Sequence, residues 1–383
     1  MFNLTNPKSM NRILIKGAYF ISIIFLFSCG TKKSVIDNNN FRENWITFGG
    51  NNQHTRYVKG DSPRDFSGLK WKFKTKGYIV SGPSVYQETA FFGSDDNYLY
   101  AVDLITGQEK WKFKTEGDVV SSPSISNRMV FFGSWDNYFY AVDQKTGKEK
   151  WKFKTNDKIF SSPTISNGMV FFGSNDNYLY ALDINTGQEK WKFKTKGIVG
   201  TCPALANEIV FFGSSDNYLY AVDQRTGKEK WKFKTGSFIG SSPAIANGMV
   251  LFGSWDNYLY AVDQKTGKEK WKFKTEDNVV SSPAIAKGMV LFGSWDNHFY
   301  AVDQKTGKEK WKFKTGGKIY SSPAVADGMV FFGSADKHFY ALKLKSGEEN
   351  WKFKTGKPIS SNAAIANGMV LFGSWDNYLY VIK

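Results

Sequence analysis

Cysteine is almost missing from these 383 residues: Cys29 and Cys202 are the only two. That count excludes a disulfide-stapled scaffold and a cysteine-ligated zinc site. Histidine occurs three times, at His54, His298 and His338. The last two stand where other repeats of the chain carry tyrosine, so they read as packing variants. No Cys/His cluster, phosphate-cradling glycine loop or Ser/His/Asp grouping can be assembled, so no metal or catalytic set is expected. The longest mostly apolar run, Ala18 to Phe27, is about half of the ~20 residues a membrane helix needs. Beyond it the apolar period is two rather than 3.6, which excludes a helical repeat. Aromatics are abundant at 17%, glycine numbers 36 and the formal charge is +16. Such a composition folds.

The first residues form an export signal. Lys8, Arg12 and Lys16 precede the apolar run, which ends in Leu26-Phe27-Ser28-Cys29. A cysteine directly after the apolar core resembles the bacterial lipobox. That resemblance implies a signal peptide over residues 1–28 and a diacylglyceryl thioether on Cys29; the alternative is an ordinary signal peptide with an incidental cysteine. Residues 29–44 are polar and read as a tether, leaving 45–383 as the folded domain. Removal of residues 1–28 takes away three positive and no negative charges, so +16 becomes +13. Gly30, where the inner-membrane retention rule would have aspartate, points to the outer membrane; a periplasm-facing position is expected over the cell surface. Cys202 is left without an internal disulfide partner.

What fills the rest is one sentence written eight times. WKFKT begins at Trp71 and recurs every forty residues to Trp351, and FFGS or LFGS recurs in step from Phe91 to Leu371. Each period reads as four short strands: one opening at Pro283, then Met289 to Gly293, Tyr258 to Asp263 and Glu269 to Thr275. Asn-Gly, Ser-x-Asp-Asn and Thr-Gly turns separate them. Four strands in about forty residues predict a propeller blade. In the fourth strand, strict alternation puts Lys268, Lys270, Lys272 and Lys274 on one face, and Glu269, Trp271, Phe273 and Thr275 on the other. The lysine comb suits an outermost strand whose open edge must not pair with another molecule. WKFKT at Trp71 precedes any complete blade, and the chain stops after a third strand at Tyr378 to Lys383. The early strand is therefore expected to complete the last blade. The fold class is all-β: an eight-bladed propeller of four-stranded antiparallel blades, closed by an N-terminal outer strand.

The stretch from Ala261 to Trp271 fits A-x-D-x-x-T-G-x-x-x-W and recurs from Ala101, Ala141, Ala181, Ala221 and Ala301. A copy from Ala341 departs, with Lys343 for Asp and Ser346 for Thr. This resembles the tryptophan-docking motif of pyrroloquinoline-quinone-type (PQQ-like) propellers, and ENWITFGGNNQHTR, Glu43 to Arg56, resembles their lead-in. The resemblance implies that Trp111, Trp151, Trp191, Trp231, Trp271 and Trp311 dock on Thr-Gly turns and lock blade to blade. Trp255-Asp256 is not the WD dipeptide of WD40 repeats, since it falls in a turn and lacks a Gly-His partner.

Within this fold the residues favour binding over chemistry. Eight aspartates, Asp96 to Asp376 at intervals of forty, share one turn; they suit a cation ring, but also an Asp-stabilised turn. The residue before them varies, and Trp135, Trp255, Trp295 and Trp375 there are candidate contacts for a ligand or partner. The plainer alternative is that they pack over neighbouring loops. Cys202 replaces a serine of other blades and reads as a small buried substitute. The charge lies along repeated outer strands and the protein is exported, so no nucleic acid is expected.

Among lipid-anchored PQQ-like propellers the chain resembles the BamB-like family of outer-membrane β-barrel assembly factors. That implies a non-catalytic, cofactor-free envelope scaffold, held at the membrane by its lipid and holding proteins of the barrel-assembly machinery. A carbohydrate-binding lectin or adhesin using the turn tryptophans is the first alternative. A PQQ-dependent dehydrogenase is the second; that resemblance would bring calcium and a vicinal disulfide, for which the cysteines do not exist.

Overall fold

A computed structural model of the chain describes residues 44–60 and 63–383. The expected signal peptide, Cys29 and nearly all of the expected tether lie outside the described residues. Eight antiparallel meanders follow one another around a ring. In the fifth blade the strands are Ala244–Ala246, Met249–Gly253, Tyr258–Asp263 and Glu269–Lys274, from the axis outward. The first strand starts after Pro243, which has no N–H to give a ladder. The fourth stops at Lys274, because Thr275 turns inward and its Oγ1 bonds the Asn257 and Asp277 carbonyls at 2.9 and 2.6 Å.

Turn chemistry sets the registers. Asn247 and Gly248 both have positive φ, 51° and 73°, as a two-residue turn matched to strand twist requires. The second and third strands are buried on both faces, which is why they read as MVLFG and YLYAV. Their side chains mesh across blades: Leu259 and Ala261 of the fifth share a cluster with Val290 and Phe292 of the sixth. At Gly253 the approach is close, where a Cβ would stand 2.3 Å from the Val279 carbonyl of the adjoining loop.

The expected alternation of the fourth strand fails at one residue. Ala261 faces Trp271 but Val262 faces Glu269, so Lys270 is an extra residue in a bulge. A bulge sets two residues against one and breaks the two-residue period. Glu269 therefore joins the lysine face, where it pairs with Lys272 at 3.8 Å, while Lys270 pairs with Asp263 at 3.1 Å. The rim is a lattice of exposed ion pairs rather than a bare lysine comb.

Ring closure follows the expected route. Leu69–Lys74 pairs antiparallel with the last strand, Tyr378–Ile382, as its fourth strand. Tyr57–Val58 adds a short parallel strand inside the seventh blade, on Val325 and Ala326. That addition belongs to a larger feature. Residues 45–58 line the axis and bond the inner strands in turn: Trp45 with Val85, Ile46 with Ile125, Asn52 with Ile165 and Leu205, Gln53 with Ile245, Thr55 with Ile285, and Arg56 with Val325. The lead-in is a plug for the channel.

Candidate functional site

Two regions differ from generic propeller packing: the plugged axis, and the face carrying the second-to-third turns and the loops between blades, here the upper face.

Around the axis, the dipeptide before each inner proline makes hydrogen bonds from blade to blade. The Ser81 Oγ–H donates to the Ser121 carbonyl, Ser121 to Ser161, and Ser161 to Thr201, at 3.2, 3.1 and 2.9 Å. One residue on, backbone N–H groups donate to side chains of the next blade. Ser122 donates to Ser162 Oγ at 2.9 Å, Ser162 to Cys202 Sγ at 3.2 Å, and Cys202 to Ser242 Oγ at 2.9 Å. The series runs on to Ser322, which donates to Asn362 Oδ1 at 2.9 Å. Cys202 is thus a member of a structural ring. Burial pushes its thiol up, away from the thiolate.

Beneath this ring sit the plug side chains. Trp45, Phe48, His54 and Arg56 are all buried. His54 Nδ1 lies 3.1 Å from the Pro243 carbonyl oxygen and so carries the proton, because a carbonyl only accepts. Nε2 lies 3.3 Å from Thr164 Oγ1. Burial, with the Arg56 charge beside it, pulls His54 down to about 3, and it is neutral in the folded protein. The Arg56 guanidinium stacks 4.2 Å from the Phe48 ring centroid. Burial lowers it to about 9, so it remains charged at neutral pH.

On the upper face the eight turn aspartates are spent on structure. Asp256 Oδ2 accepts from the Tyr260 hydroxyl at 2.8 Å and the Gly236 N–H at 2.7 Å, and Oδ1 from the Tyr258 N–H at 3.3 Å. Equivalent Tyr-to-Asp bonds occur in all eight blades, from Asp96 to Asp376. Among the described residues no three His, Cys, Asp or Glu side chains converge as a metal site. Asp95, one residue earlier in the first blade, is half-buried; burial and the neighbouring Asp118 and Asp96 push it up to about 6.

The four candidate tryptophans sit in these turns, and each meets an aromatic ring or a cation. Trp135 packs on Phe160 at 4.7 Å with the Lys158 ammonium 4.4 Å from its ring. Trp375 stacks on Tyr78 at 5.8 Å and donates to Ser360 Oγ at 2.7 Å. Trp255 and Trp295 are brought together. Phe238, Trp255, Trp295 and Tyr320 form a chain of rings at 5.7, 5.3 and 5.2 Å across blades five to seven. Its open end is exposed, Phe238 by 47% and Trp255 by 39%. Phe238 was not among the expected contacts; its signal was position, in the loop from the fourth strand of one blade to the first strand of the next.

The docking tryptophans lie at the blade seams. Trp271 Nε1 donates to the Gln304 carbonyl at 3.1 Å, and its ring covers Gly307, where a Cβ would meet it at 2.6 Å. Trp111, Trp151, Trp191, Trp231 and Trp311 make the same bond, at 3.0 to 3.2 Å. Trp71 of the closing strand makes it to Leu104 at 2.9 Å. Trp351 has no following Thr-Gly turn; it donates to the Pro63 carbonyl at 3.2 Å and packs on Phe66.

Comparison with known proteins agrees with this geometry. The family model described as outer membrane protein assembly factor BamB matches residues 67–159, 137–197, 194–294 and 256–381. No protein of curated function matches by sequence. Similar solved structures include BamB from Moraxella catarrhalis, 19% identical with a TM-score of 0.71, covering 82% of this chain and 97% of that one. The computationally designed Ika8 protein is 19% identical with a TM-score of 0.74, covering 81% and 97%. Quinohemoprotein alcohol dehydrogenase from Comamonas testosteroni is 15% identical with a TM-score of 0.78, covering 89% and 80%. At these identities the likeness is one of fold, shared by binding proteins and enzymes alike. With the family model spanning every blade, the chain belongs to the family of the outer-membrane protein assembly factor BamB.

Proposed function

We propose that this protein is a non-catalytic, lipid-anchored envelope scaffold that serves outer-membrane protein assembly and grips a protein partner by its upper face. The observation that carries the reading is the aromatic chain Phe238–Trp255–Trp295–Tyr320. It is built from positions that vary between blades, so the repeat does not require it, and its open end is exposed. Clustered aromatics of this kind are what interface hot spots are made of. Lys318, 4.4 Å from the Trp295 ring, adds a cation toward the other end. Lipidation at Cys29 and the periplasmic orientation belong to the same proposal, and family membership supports them.

The residues fit a quinone enzyme poorly. A calcium–quinone pair needs converging carboxylates, whereas the axial ring is Ser, Thr, Cys and Asn, and the turn carboxylates are held by Tyr hydroxyls and N–H groups. Preparations that oxidise alcohols or sugars with added calcium and quinone would reverse this assignment. A carbohydrate ligand is the second reading, favoured by the exposed face of Trp255; a glycan array answers it.

The test is complementation. A strain lacking this protein, supplied with the Phe238→Ala/Trp255→Ala chain, should keep the folded protein but show reduced outer-membrane barrel proteins. Full restoration by the variant would remove the upper-face aromatics from the function.

A further inference from the structure

Arg56 is the most unusual residue in the molecule. Its side chain is fully buried, and Nε, Nη1 and Nη2 make no hydrogen bond to any described residue. Its carbonyl is bonded to Val325 in the seventh blade. Its guanidinium acts electrostatically on Cys202 in the fourth blade and on His54. Phe48, on which the guanidinium stacks, meets the His54 ring at 5.1 Å, and His54 lies against Pro243 and Thr164, so the side chain points into the axis among the inner strands. The titratable neighbours that act on it are a thiol and a neutral imidazole, and neither supplies a negative charge. A buried charge without a counter-charge is among the costliest arrangements in a protein interior. Stacking on Phe48 offsets part of that cost, but leaves the five N–H groups of the guanidinium unbonded.

The ring above is built to help an anion. Ser122, Ser282 and Ser322 each accept an N–H bond through Oγ from the preceding blade. A hydroxyl that accepts still has its own hydrogen to donate. Hydroxyl donors and a guanidinium thus share the axis, and no described carboxylate bonds the Arg56 nitrogens.

We propose that the plugged axis binds one compact inorganic anion of the halide class, held between the Arg56 guanidinium and the hydroxyls of the Ser/Cys ring. The enclosure sets the size. Arg56 has no accessible surface, so the smallest ions need the least opening to reach it. Taking up the ion requires local widening of the channel around the guanidinium. The inference concerns the axis and stands apart from the upper-face proposal. It explains why a plug carries an arginine at its most buried point.

The probe is bromide. Crystals of the mature protein grown in bromide should show an anomalous bromine peak within hydrogen-bond distance of the Arg56 nitrogens. In solution, above the dissociation constant, tenfold more bromide should raise the folding constant about tenfold relative to gluconate of equal ionic strength. Matched ionic strength cancels screening of the rim lysines. The Arg56→Met protein should lose the bromide effect and keep the general salt response. Well-ordered density at Arg56 without a bromine peak would overturn the proposal, as would a wild-type folding constant equal in bromide and gluconate. The crystal result decides even if Arg56→Met fails to fold.

Discussion

Replacing Trp271 by alanine should cost about 4 kcal/mol of folding stability, the direct consequence of how the blades are locked. The side chain is 9% exposed, so it buries roughly 200 Å². At ~25 cal/mol per Å² that is about 5 kcal/mol, an upper bound because the unfolded chain is itself partly compact. A realistic transfer contribution is about 3–4 kcal/mol. Loss of the N–H donated to Gln304 leaves that carbonyl dependent on water and adds about 1 kcal/mol. The cavity lies at a seam and will partly collapse, so the sum does not grow further. Trp271→Phe keeps an aromatic ring over Gly307 but removes the N–H, and should cost about 1–2 kcal/mol. Urea unfolding of the mature chain followed by far-ultraviolet circular dichroism is the assay, with slopes compared so that only midpoints are interpreted. Trp351→Ala is the internal comparison. Its partners are Pro63 and Phe66 rather than a Thr-Gly turn, yet it is 8% exposed and should cost a similar amount. A Trp271→Ala midpoint within about 0.5 kcal/mol of wild type would refute the claim that these tryptophans lock the ring.

Other outcomes follow from single contacts. His54 is lowered to about 3 in the folded protein, so the unfolded chain binds its proton first. Its stabilising contribution is present above the ordinary histidine value of about 6.5 and is lost as pH falls toward 3, by about 1.4 kcal/mol per pH unit at most. His54→Asn should flatten that slope in acid unfolding, and an unchanged slope would assign it elsewhere. Gly253→Ala should destabilise by several kcal/mol or block folding, because its Cβ would stand 2.3 Å from the Val279 carbonyl; a thermal midpoint equal to wild type would contradict the seam geometry. Trp255→Ala should weaken binding of a purified partner by about 2 kcal/mol, roughly thirtyfold, while leaving the unfolding midpoint nearly unchanged, since that ring is more than a third exposed.

What could be read from the residues was whatever the repeat forced. Eight copies of one motif announced eight blades, and an orphan WKFKT at Trp71 announced the closure, because strand count and chain order are arithmetic. The bulge at Lys270 was not legible, since alternation assumes one-to-one pairing and nothing in EKWKFK marks the extra residue. Glu269 accordingly fell on the wrong face. The plug was hidden for a different reason. Residues 45–58 occur once, so no period marks them. Their burial depends on an axis that exists only after eight blades have closed. A buried Arg56 reads in sequence like any surface arginine. The aromatic chain was half visible: Trp255 and Trp295 stood out as departures within a repeated turn. Phe238 and Tyr320 entered only when the ring brought their loops against those turns.

The most direct measurement is quantitative purification of the tagged full-length protein from its own membranes in mild detergent. It is made alongside the Phe238→Ala/Trp255→Ala form. The scaffold account predicts that the outer-membrane barrel-assembly complex copurifies in near-stoichiometric amount with the wild type and falls by at least tenfold with the variant. Absence of that complex from the wild-type preparation, or equal recovery with the variant, would contradict it.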